Sequence, residues 1–191
     1  TQAGTTTTNL DISEYMVDAN LGFALNTSQS FKSIFGFHLD SGSTNATSTD
    51  VHGYESFYYD THEHGGFMDV VRWGNLTSAN LALTFAAADD IELGLTYYYF
   101  THTVKSDQNA PTGQTASPTQ FGPEYKTLTA SPSTTELGHE VDLSFKKSFD
   151  SGLKFLGVAS GFLPGSALKN ATDPKQDRVI FEYFAQASID F

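Results

Sequence analysis

Two acidic side chains, Glu140 and Asp142, stand two residues apart in a stretch that alternates apolar and polar residues. In an extended strand this spacing places both carboxyl groups on one face, where a carboxylate pair can act in general acid–base catalysis. On a sheet that forms a barrel wall, such carboxylates more often pair with basic side chains of neighbouring strands. We therefore expect an ion-paired rather than a catalytic role, with Lys32, Lys146 and Arg178 as possible partners.

A second group of candidate residues lies between positions 52 and 69, where imidazole and carboxylate side chains are frequent. Such donors can bind a divalent metal ion. The group comprises His52, Glu55, Asp60, His62, Glu63, His64 and Asp69. Their spacing implies no fixed ligand geometry, so we interpret this stretch as a solvated polar loop. We predict no metal and no cofactor, and His62 and His64 would be the ligands if a metal bound.

Serine with histidine appears repeatedly in the sequence, as at His38 and Ser41 or at His102 and Ser160. The Gly-x-Ser-x-Gly turn that presents the nucleophile of many hydrolases is absent from the sequence. A barrel phospholipase or acyltransferase would need a serine, a histidine and a polar orienting residue, and no such set is singled out. The sequence therefore predicts that the protein is not an enzyme.

Composition excludes several other classes of protein. The 191 residues include no cysteine, so disulfide bonds and thiolate metal sites are ruled out. The formal net charge of −12 argues against a nucleic-acid partner, which needs a basic surface. No run of 18 apolar residues occurs, which rules out a transmembrane helix. A membrane-spanning strand stays possible, because its apolar residues recur only at every second position.

The final 14 residues, 178–191, show a period of two that continues to the last position. One face of this stretch is apolar and the other is polar. The apolar face carries Phe181, Tyr183, Ala185, Ala187, Ile189 and Phe191, and the polar face carries Glu182, Gln186, Ser188 and Asp190, with Phe184 among them. A two-faced strand that ends on an aromatic residue is typical of the closing strand of an outer-membrane β-barrel.

Similar alternation recurs along the chain and predicts an all-β protein with seven strands. The predicted strands are about 11–25, 31–40, 76–88, 91–102, 135–149, 153–163 and 178–191. The sixth strand is apolar at both parities, so its faces stay unassigned. Short turns alternate with three long polar connections at about 41–75, 105–134 and 164–177. Short periplasmic turns and long external loops are typical of an antiparallel up-and-down barrel in the outer membrane.

The strand count bears on how such a barrel would close. Bacterial single-chain barrels have an even number of strands, and open edges in lipid leave backbone groups unpaired. Either the Thr-rich start of the chain, residues 1–9, hides an eighth strand, or these residues are part of a larger barrel. We favour the larger barrel, and we treat residues 1–191 as a single barrel domain or the C-terminal part of one.

Four short motifs resemble the alginate-export family of outer-membrane β-barrels. They are Phe37–Gly42, the aromatic-rich stretch 57–76 with Gly-Phe-Met-Asp and Trp-Gly-Asn, Leu137–Leu143, and Gly161–Gly165. The positions that carry the resemblance are Asp40, Ser41, Gly42, Asp69, Trp73, Asn75, Gly138, Phe162 and Gly165. In the family these motifs lie in the C-terminal half of a larger barrel, so the resemblance implies the same barrel fold here.

The charge pattern departs from what the resemblance implies, because an alginate exporter is expected to line its pore with Arg and Lys. The residues predicted to line the pore are mostly acidic, and they are Glu14, Asp18, Lys32, His38, Glu92, Glu140, Asp142, Lys146 and Glu182. The chain has only two arginines, Arg72 and Arg178. A lumen of this sign should repel a polyuronate.

These observations predict a porin-like channel in the bacterial outer membrane for small or sugar-like solutes, with loops folding inward to narrow it. Outer-membrane lipid is the expected surrounding, with further barrel strands or envelope proteins as partners. The alternative is a structural or binding barrel that anchors a surface assembly through its long loops. Single-channel conductance in planar bilayers tests the channel hypothesis. Capture of partner proteins from detergent extracts tests the structural or binding barrel.

Overall fold

The computed structural model describes residues 11–25, 30–42, 50–51, 62, 65–71, 73–105, 134–168 and 178–189. These residues form the strands β1 Asp11–Ile12, β2 Met16–Leu25, β3 Phe31–Asp40, β4 Asp50–Val51, β5 Leu76–Ala88, β6 Ile91–His102, β7 Glu136–Ser148, β8 Leu153–Pro164 and β9 Ile180–Ile189. No helix among them is long and apolar enough to cross a membrane. The predicted loop at the start of the chain, most of the loop 105–134 and the terminal Phe191 lie outside the described residues.

The seven long strands form one antiparallel sheet in the order β2-β3-β5-β6-β7-β8-β9, so each long strand pairs with the next one along the chain. This up-and-down order confirms the predicted all-β fold, and the strand ends agree with the alternation to within a few residues. The two-residue strands β1 and β4 pair in parallel, which the sequence did not predict. The sheet does not close on itself within the described residues.

Strand register assigns every side chain to one of two faces. Residues directly opposite one another share a face, and the ladders join even-numbered residues to even-numbered ones, as in Asp18–His38–Ser78–Phe100. We call the face of the even-numbered residues the covered face, because residues 65–71 pack over it. The face of the odd-numbered residues is the bare face.

The bare face is apolar and exposed over all seven long strands. Its exposed large side chains include Leu21, Phe23, Phe35, Leu81, Leu93, Leu95, Val141, Leu143, Phe145, Phe155, Phe181 and Tyr183. The covered face instead buries polar groups, among them His38, Asp40, Ser78, His102, Glu140, Asp142 and Ser160. A protein surrounded by water normally places its apolar face inside. Here the apolar face is exposed and the polar face is buried. A strand that contacts hydrocarbon on one side requires this distribution.

Strand β8, whose faces the sequence left unassigned, follows the same rule. Phe155 and Leu163 are exposed on the bare face, whereas Val158, Ser160 and Phe162 are buried on the covered face. Its apolar residues at both parities therefore have two different surroundings. Val158 and Phe162 pack within the protein, and Phe155 and Leu163 face outward.

One register shift changes the parity rule at the start of β7. The ladder pairs Phe100 with Gly138 but Thr101 with Glu136, so Leu137 is the extra residue of a β-bulge. Gly138 has φ of 145°, which favours glycine. Leu137 is consequently buried with the core side chains instead of lying on the bare face.

The short-turn end of the sheet is the end where Asp89–Asp90 and residues 149–152 connect the strands, and the long-loop end is the opposite one. Two ion pairs cross from β6 and its turn to β7 at the short-turn end. Lys146 Nζ lies 2.9 Å from Glu92 Oε1, and Lys147 Nζ contacts Asp90 Oδ2. The hydrogen bond from Lys147 lowers the pKa of the exposed Asp90 carboxyl.

The assignment of faces leads to a stability test in a lipid bilayer. Leu143 is 56% exposed on the bare face, so Leu143→Lys is expected to cost about 2–4 kcal/mol of unfolding free energy near the bilayer midplane. Gln186→Lys, on the covered face, is the control and should change the free energy by less than about 1 kcal/mol. Urea titrations of both variants in vesicles measure the difference. Equal costs at the two positions would contradict the assignment.

Candidate functional site

Residues 65–71 fold inward over the covered face near the long-loop end. Three apolar side chains of this segment, Met68, Val70 and Val71, are at most 4% exposed. They join a buried cluster with Leu76, Tyr98, Phe100, Leu137, Phe162, Ala167 and Leu168. Burying a single valine or methionine side chain stabilises a protein by roughly 1.5–3 kcal/mol, so this cluster holds the segment firmly.

Asp40, at the end of β3, fastens the chain that follows this segment. Its Oδ2 accepts a hydrogen bond from Gly74 N at 2.7 Å, and its Oδ1 accepts one from Leu76 N at 2.5 Å. Asp40 is fully buried, and hydrogen bonds to an ionised acceptor are stronger than neutral ones. The carboxylate thus fixes the point at which the inward chain enters β5.

His38 lies between two carboxylates on the covered face. Its Nδ1 is 2.7 Å from Asp18 Oδ1 on β2, and its Nε2 is 3.2 Å from Asp40 Oδ2. The imidazole ring also lies 5.5 Å from the Trp73 ring, centroid to centroid. His38 therefore connects the edge strand β2 to the buried Asp40 and to the inward chain.

Asn75 provides a third attachment, to the residues that follow β6. Its φ of 58° is left-handed, a conformation that asparagine tolerates better than most residues. The side-chain Oδ1 accepts a hydrogen bond from Val104 N at 2.9 Å, and Nδ2 donates to Val104 O at 3.0 Å. The same Nδ2 lies 3.2 Å from His102 Nδ1, so the buried His102 belongs to this network.

Glu140 holds the inward segment from β7. Met68 N donates a hydrogen bond to Glu140 Oε1 at 2.9 Å, and the Glu140 side chain is fully buried. Gly66, with φ of +81°, lies so close that a Cβ atom there would come within 2.5 Å of Oε1. A glycine is therefore needed at position 66 for both the backbone conformation and the close approach to the carboxylate.

The acidic residues of the covered face do not have the basic partners that the sequence suggested. Glu140 stands opposite Tyr98 and Phe162, and Asp142 stands opposite Thr96 and Ser160. Of the proposed partners, Lys146 pairs with Glu92, Lys32 lies opposite Ala24 and Thr84, and Arg178 is exposed before β9. The prediction of cross-strand ion pairs for Glu140 and Asp142 is therefore wrong. A backbone N–H of a distant segment, which no local pattern reveals, bonds Glu140 instead.

The remaining predicted pore-lining residues lie at several heights along the covered face. Glu182 stands opposite Ser160, in the same cross-strand row as Asp142. Lys32, Glu92 and Lys146 lie near the short-turn end, where Lys154 also projects from this face. Glu14 precedes β2 and is half-buried. The acidic residues are thus concentrated in the middle and at the long-loop end, and the lysines at the short-turn end.

The family-like positions serve mainly to attach the inward chain and the loop ends. Ser41 exchanges two hydrogen bonds with Tyr15, and Gly42 lies against Asn75. Gly165 N donates to Leu137 O at 2.8 Å, next to the bulge at Gly138. Phe162 packs in the core near Phe100, with ring centroids 6.2 Å apart. These residues thus have structural contacts that the sequence motifs alone did not specify.

Only part of the histidine-rich stretch is among the described residues. His62 is exposed and stacks on Phe67, and its Nδ1 lies 3.0 Å from Asp69 Oδ2. His64 lies outside the described residues. Within the described ranges, no three His, Asp or Glu side chains are grouped closely enough to hold a metal by themselves. The solvated-loop interpretation fits His62 but is wrong for Gly66 and Met68, which are buried.

Several residues of this site have no clear sequence signal. Gly66 and His102 were not predicted as functional, because their roles depend on contacts with residues far along the chain. The run Met68-Asp69-Val70-Val71 does carry a signal, since three apolar residues in an otherwise polar loop indicate a buried segment.

The attachment at Asp40 is testable by substitution. Asp40→Ala removes the acceptor for Gly74 N and Leu76 N and leaves buried donors unpaired, so we expect a loss of roughly 3 kcal/mol of unfolding free energy. Glu92→Ala breaks only an exposed ion pair and should cost less than about 1 kcal/mol. Urea unfolding of both variants, followed by fluorescence of the single tryptophan, Trp73, measures the two costs. Similar costs for both would contradict the role of Asp40.

Comparison with known proteins gives one family for this chain. A search of curated proteins finds no match. A comparison with protein families matches residues 1–182 to the family described as alginate export. That match extends over almost the whole chain and agrees with the antiparallel sheet and its reversed polarity. The chain therefore belongs to the alginate-export family, a family of outer-membrane β-barrels that act as export channels.

Proposed function

We propose that this chain forms the wall of a passive channel in the outer membrane of a Gram-negative bacterium. The observation that carries the proposal is the reversed distribution of polarity. The covered face presents charged and polar side chains, and the bare face presents exposed apolar ones. In this arrangement the covered face borders the lumen and the bare face contacts outer-membrane lipid. The short-turn end would be periplasmic and the long-loop end external.

The lumen wall in this proposal consists of the covered-face residues. Those predicted from the sequence are Glu14, Asp18, Lys32, His38, Glu92, Glu140, Asp142, Lys146 and Glu182. Lys154 joins them, because it lies opposite Ser148 and Ser188 on the same face. Further barrel strands and envelope proteins would be the partners that complete the wall.

The order of charges along this wall supports a selectivity. A solute that enters from the short-turn end first meets the lysines and then the partly exposed carboxyl groups of Glu182 and Asp18. Glu140 and Asp142 are buried beneath residues 65–71, so they add to the acidic zone through their electrostatic field and not by contact. Charged walls in a narrow, low-dielectric passage attract counter-ions and repel ions of their own sign. This part of the wall therefore favours small cations and neutral, sugar-like solutes over a polyuronate.

The inward segment supports a second candidate. Residues 65–71 occupy space over the covered face, and the buried cluster beneath them is apolar. Such packing narrows a channel, as inward-folding loops do in porins. It is also what a structural barrel needs if it anchors a surface assembly and passes no solute. The docked segment is the observation that keeps this alternative open.

Reconstitution in planar bilayers tests the channel. The native protein should show single-channel currents and a reversal potential of the sign expected for cation selectivity under a salt gradient. Glu182→Gln should reduce the permeability ratio of cation to anion by about two-fold or more, because it removes a charge from the acidic zone. Asp89→Asn, in the exposed turn before β6, is the control and should leave the ratio unchanged.

Two outcomes would count against the channel. Absence of both conductance and solute flux in reconstituted protein would reject it, and capture of specific envelope proteins from detergent extracts would then favour the structural barrel. An anion-selective current that Glu182→Gln does not alter would reject the proposed wall while leaving a channel in place.

A further inference from the structure

Three buried oxygen atoms at one place on the covered face have no hydrogen-bond partner among the described residues outside their own cluster. They are Glu140 Oε2, Asp142 Oδ1 and Ser160 Oγ. Their side chains are buried, with Glu140 at 0%, Ser160 at 3% and Asp142 at 6% exposure. A buried polar group without a partner costs roughly 1–3 kcal/mol, and more when it is charged. Three adjoining groups of this kind indicate a missing ligand that bonds oxygen.

The three side chains are brought together by strand geometry. Glu140 and Asp142 are two residues apart on one face of β7, and Ser160 of β8 stands directly opposite Asp142. The carboxyl groups of Glu140 and Asp142 are close enough to interact electrostatically. Gly66 and Met68 lie over Glu140 from the inward segment and close the site above it.

The site has an excess of negative charge. Two rows of directly opposed residues contain it, Asn80–Tyr98–Glu140–Phe162–Ile180 and Ala82–Thr96–Asp142–Ser160–Glu182, and neither row holds a lysine or arginine. Glu182 adds a further carboxylate beside Ser160. Among the described residues, the basic side chain that acts on Asp142 electrostatically is the imidazole of His62. Two adjacent carboxyl groups in such surroundings must share a proton or bind a cation.

We propose that Glu140, Asp142 and Ser160 form a binding site for a divalent cation of the Ca²⁺ type. All three donors are oxygen atoms, which hard cations prefer. The chain has no thiolate, and no pair of imidazoles converges on the site within the part of the chain that the structure describes, so zinc or copper is not selected. Ca²⁺ accepts irregular shells, so water molecules can complete the coordination around two carboxylates and a hydroxyl. A site with so few charged ligands should bind with a dissociation constant on the order of 10⁻⁴–10⁻³ M.

Cation binding would also act on the inward segment. The ion neutralises the carboxylate pair through Glu140 Oε2 and Asp142 Oδ1, and it leaves Glu140 Oε1 to accept the hydrogen bond from Met68 N. Loss of the ion restores the repulsion beneath Gly66 and Met68 and weakens the docking of residues 65–71. Resting on the proposed channel function, this coupling would make the width of the lumen depend on the divalent ion concentration outside the cell. The binding itself does not depend on the proposed channel function.

Terbium luminescence tests the site in the full chain in detergent micelles. Tb³⁺ substitutes for Ca²⁺ and is sensitised by a nearby phenol, and Tyr98 stands directly opposite Glu140. The native protein should give a saturable signal that Ca²⁺ displaces. The double variant Glu140→Gln/Asp142→Asn should weaken Tb³⁺ binding at least ten-fold, and Ser160→Ala a few-fold. Asp90→Asn, an acid outside the site, should bind as the native protein does.

Thermal unfolding provides a second measurement that separates a lost ligand from a lost fold. Ca²⁺ should raise the Tm of the native protein above its value in EDTA and leave the Tm of the double variant unchanged. In EDTA the double variant should be at least as stable as the native protein, because repulsion between the carboxylates is removed. The proposal is overturned if native protein shows no saturable Tb³⁺ signal, or if the double variant keeps that signal. A Ca²⁺-dependent rise in Tm that persists in the double variant would overturn it as well.

Discussion

The continuous hydrogen-bonded ladder through seven antiparallel strands is the constraint on which the rest of the structure depends. Because opposed residues share a face, the parity of a residue decides its surroundings from β2 to β9. A slip of one residue in any pair would move charged side chains such as Asp142 onto the apolar face. Leu137 shows how the sheet departs from this rule, since a bulge at Gly138 lets one odd-numbered residue enter the core.

The polar groups on the covered face hold a second layer of chain against the sheet. Asp40 and Asn75 attach the end of the inward chain, and Glu140 attaches its middle through Met68 N. All three are buried, so each bond forms where water competes little. Several family-like positions take part in these attachments. Their residue types are therefore explained by the docking of a loop on a sheet, and the solute that passes must be argued from the charges of the wall.

The sequence predicts the strands well and the inward segment poorly, for physical reasons. The strand Phe31–Asp40 shows a local period of two, and its pairing with neighbours follows from short turns. The faces of β8 were not predictable, because Val158 and Phe155 are both apolar although one is buried and the other exposed. The bond from Met68 to Glu140 spans 72 positions in the chain. Contacts of that range leave no periodic signal, and the apolar residues Met68, Val70 and Val71 are the one local sign of a buried segment in a stretch that is otherwise polar.

Placement of the two faces in the membrane is the central claim, and it is measured most directly by single-cysteine labelling. The chain has no cysteine, so each introduced thiol is unique. Spin labels at Leu143 and Phe145 should be accessible to oxygen dissolved in lipid, and labels at Ser144 and Lys146 to a water-soluble nickel chelate. Accessibility should therefore alternate with a period of two along β7. Equal access of the nickel chelate to all four positions would contradict it.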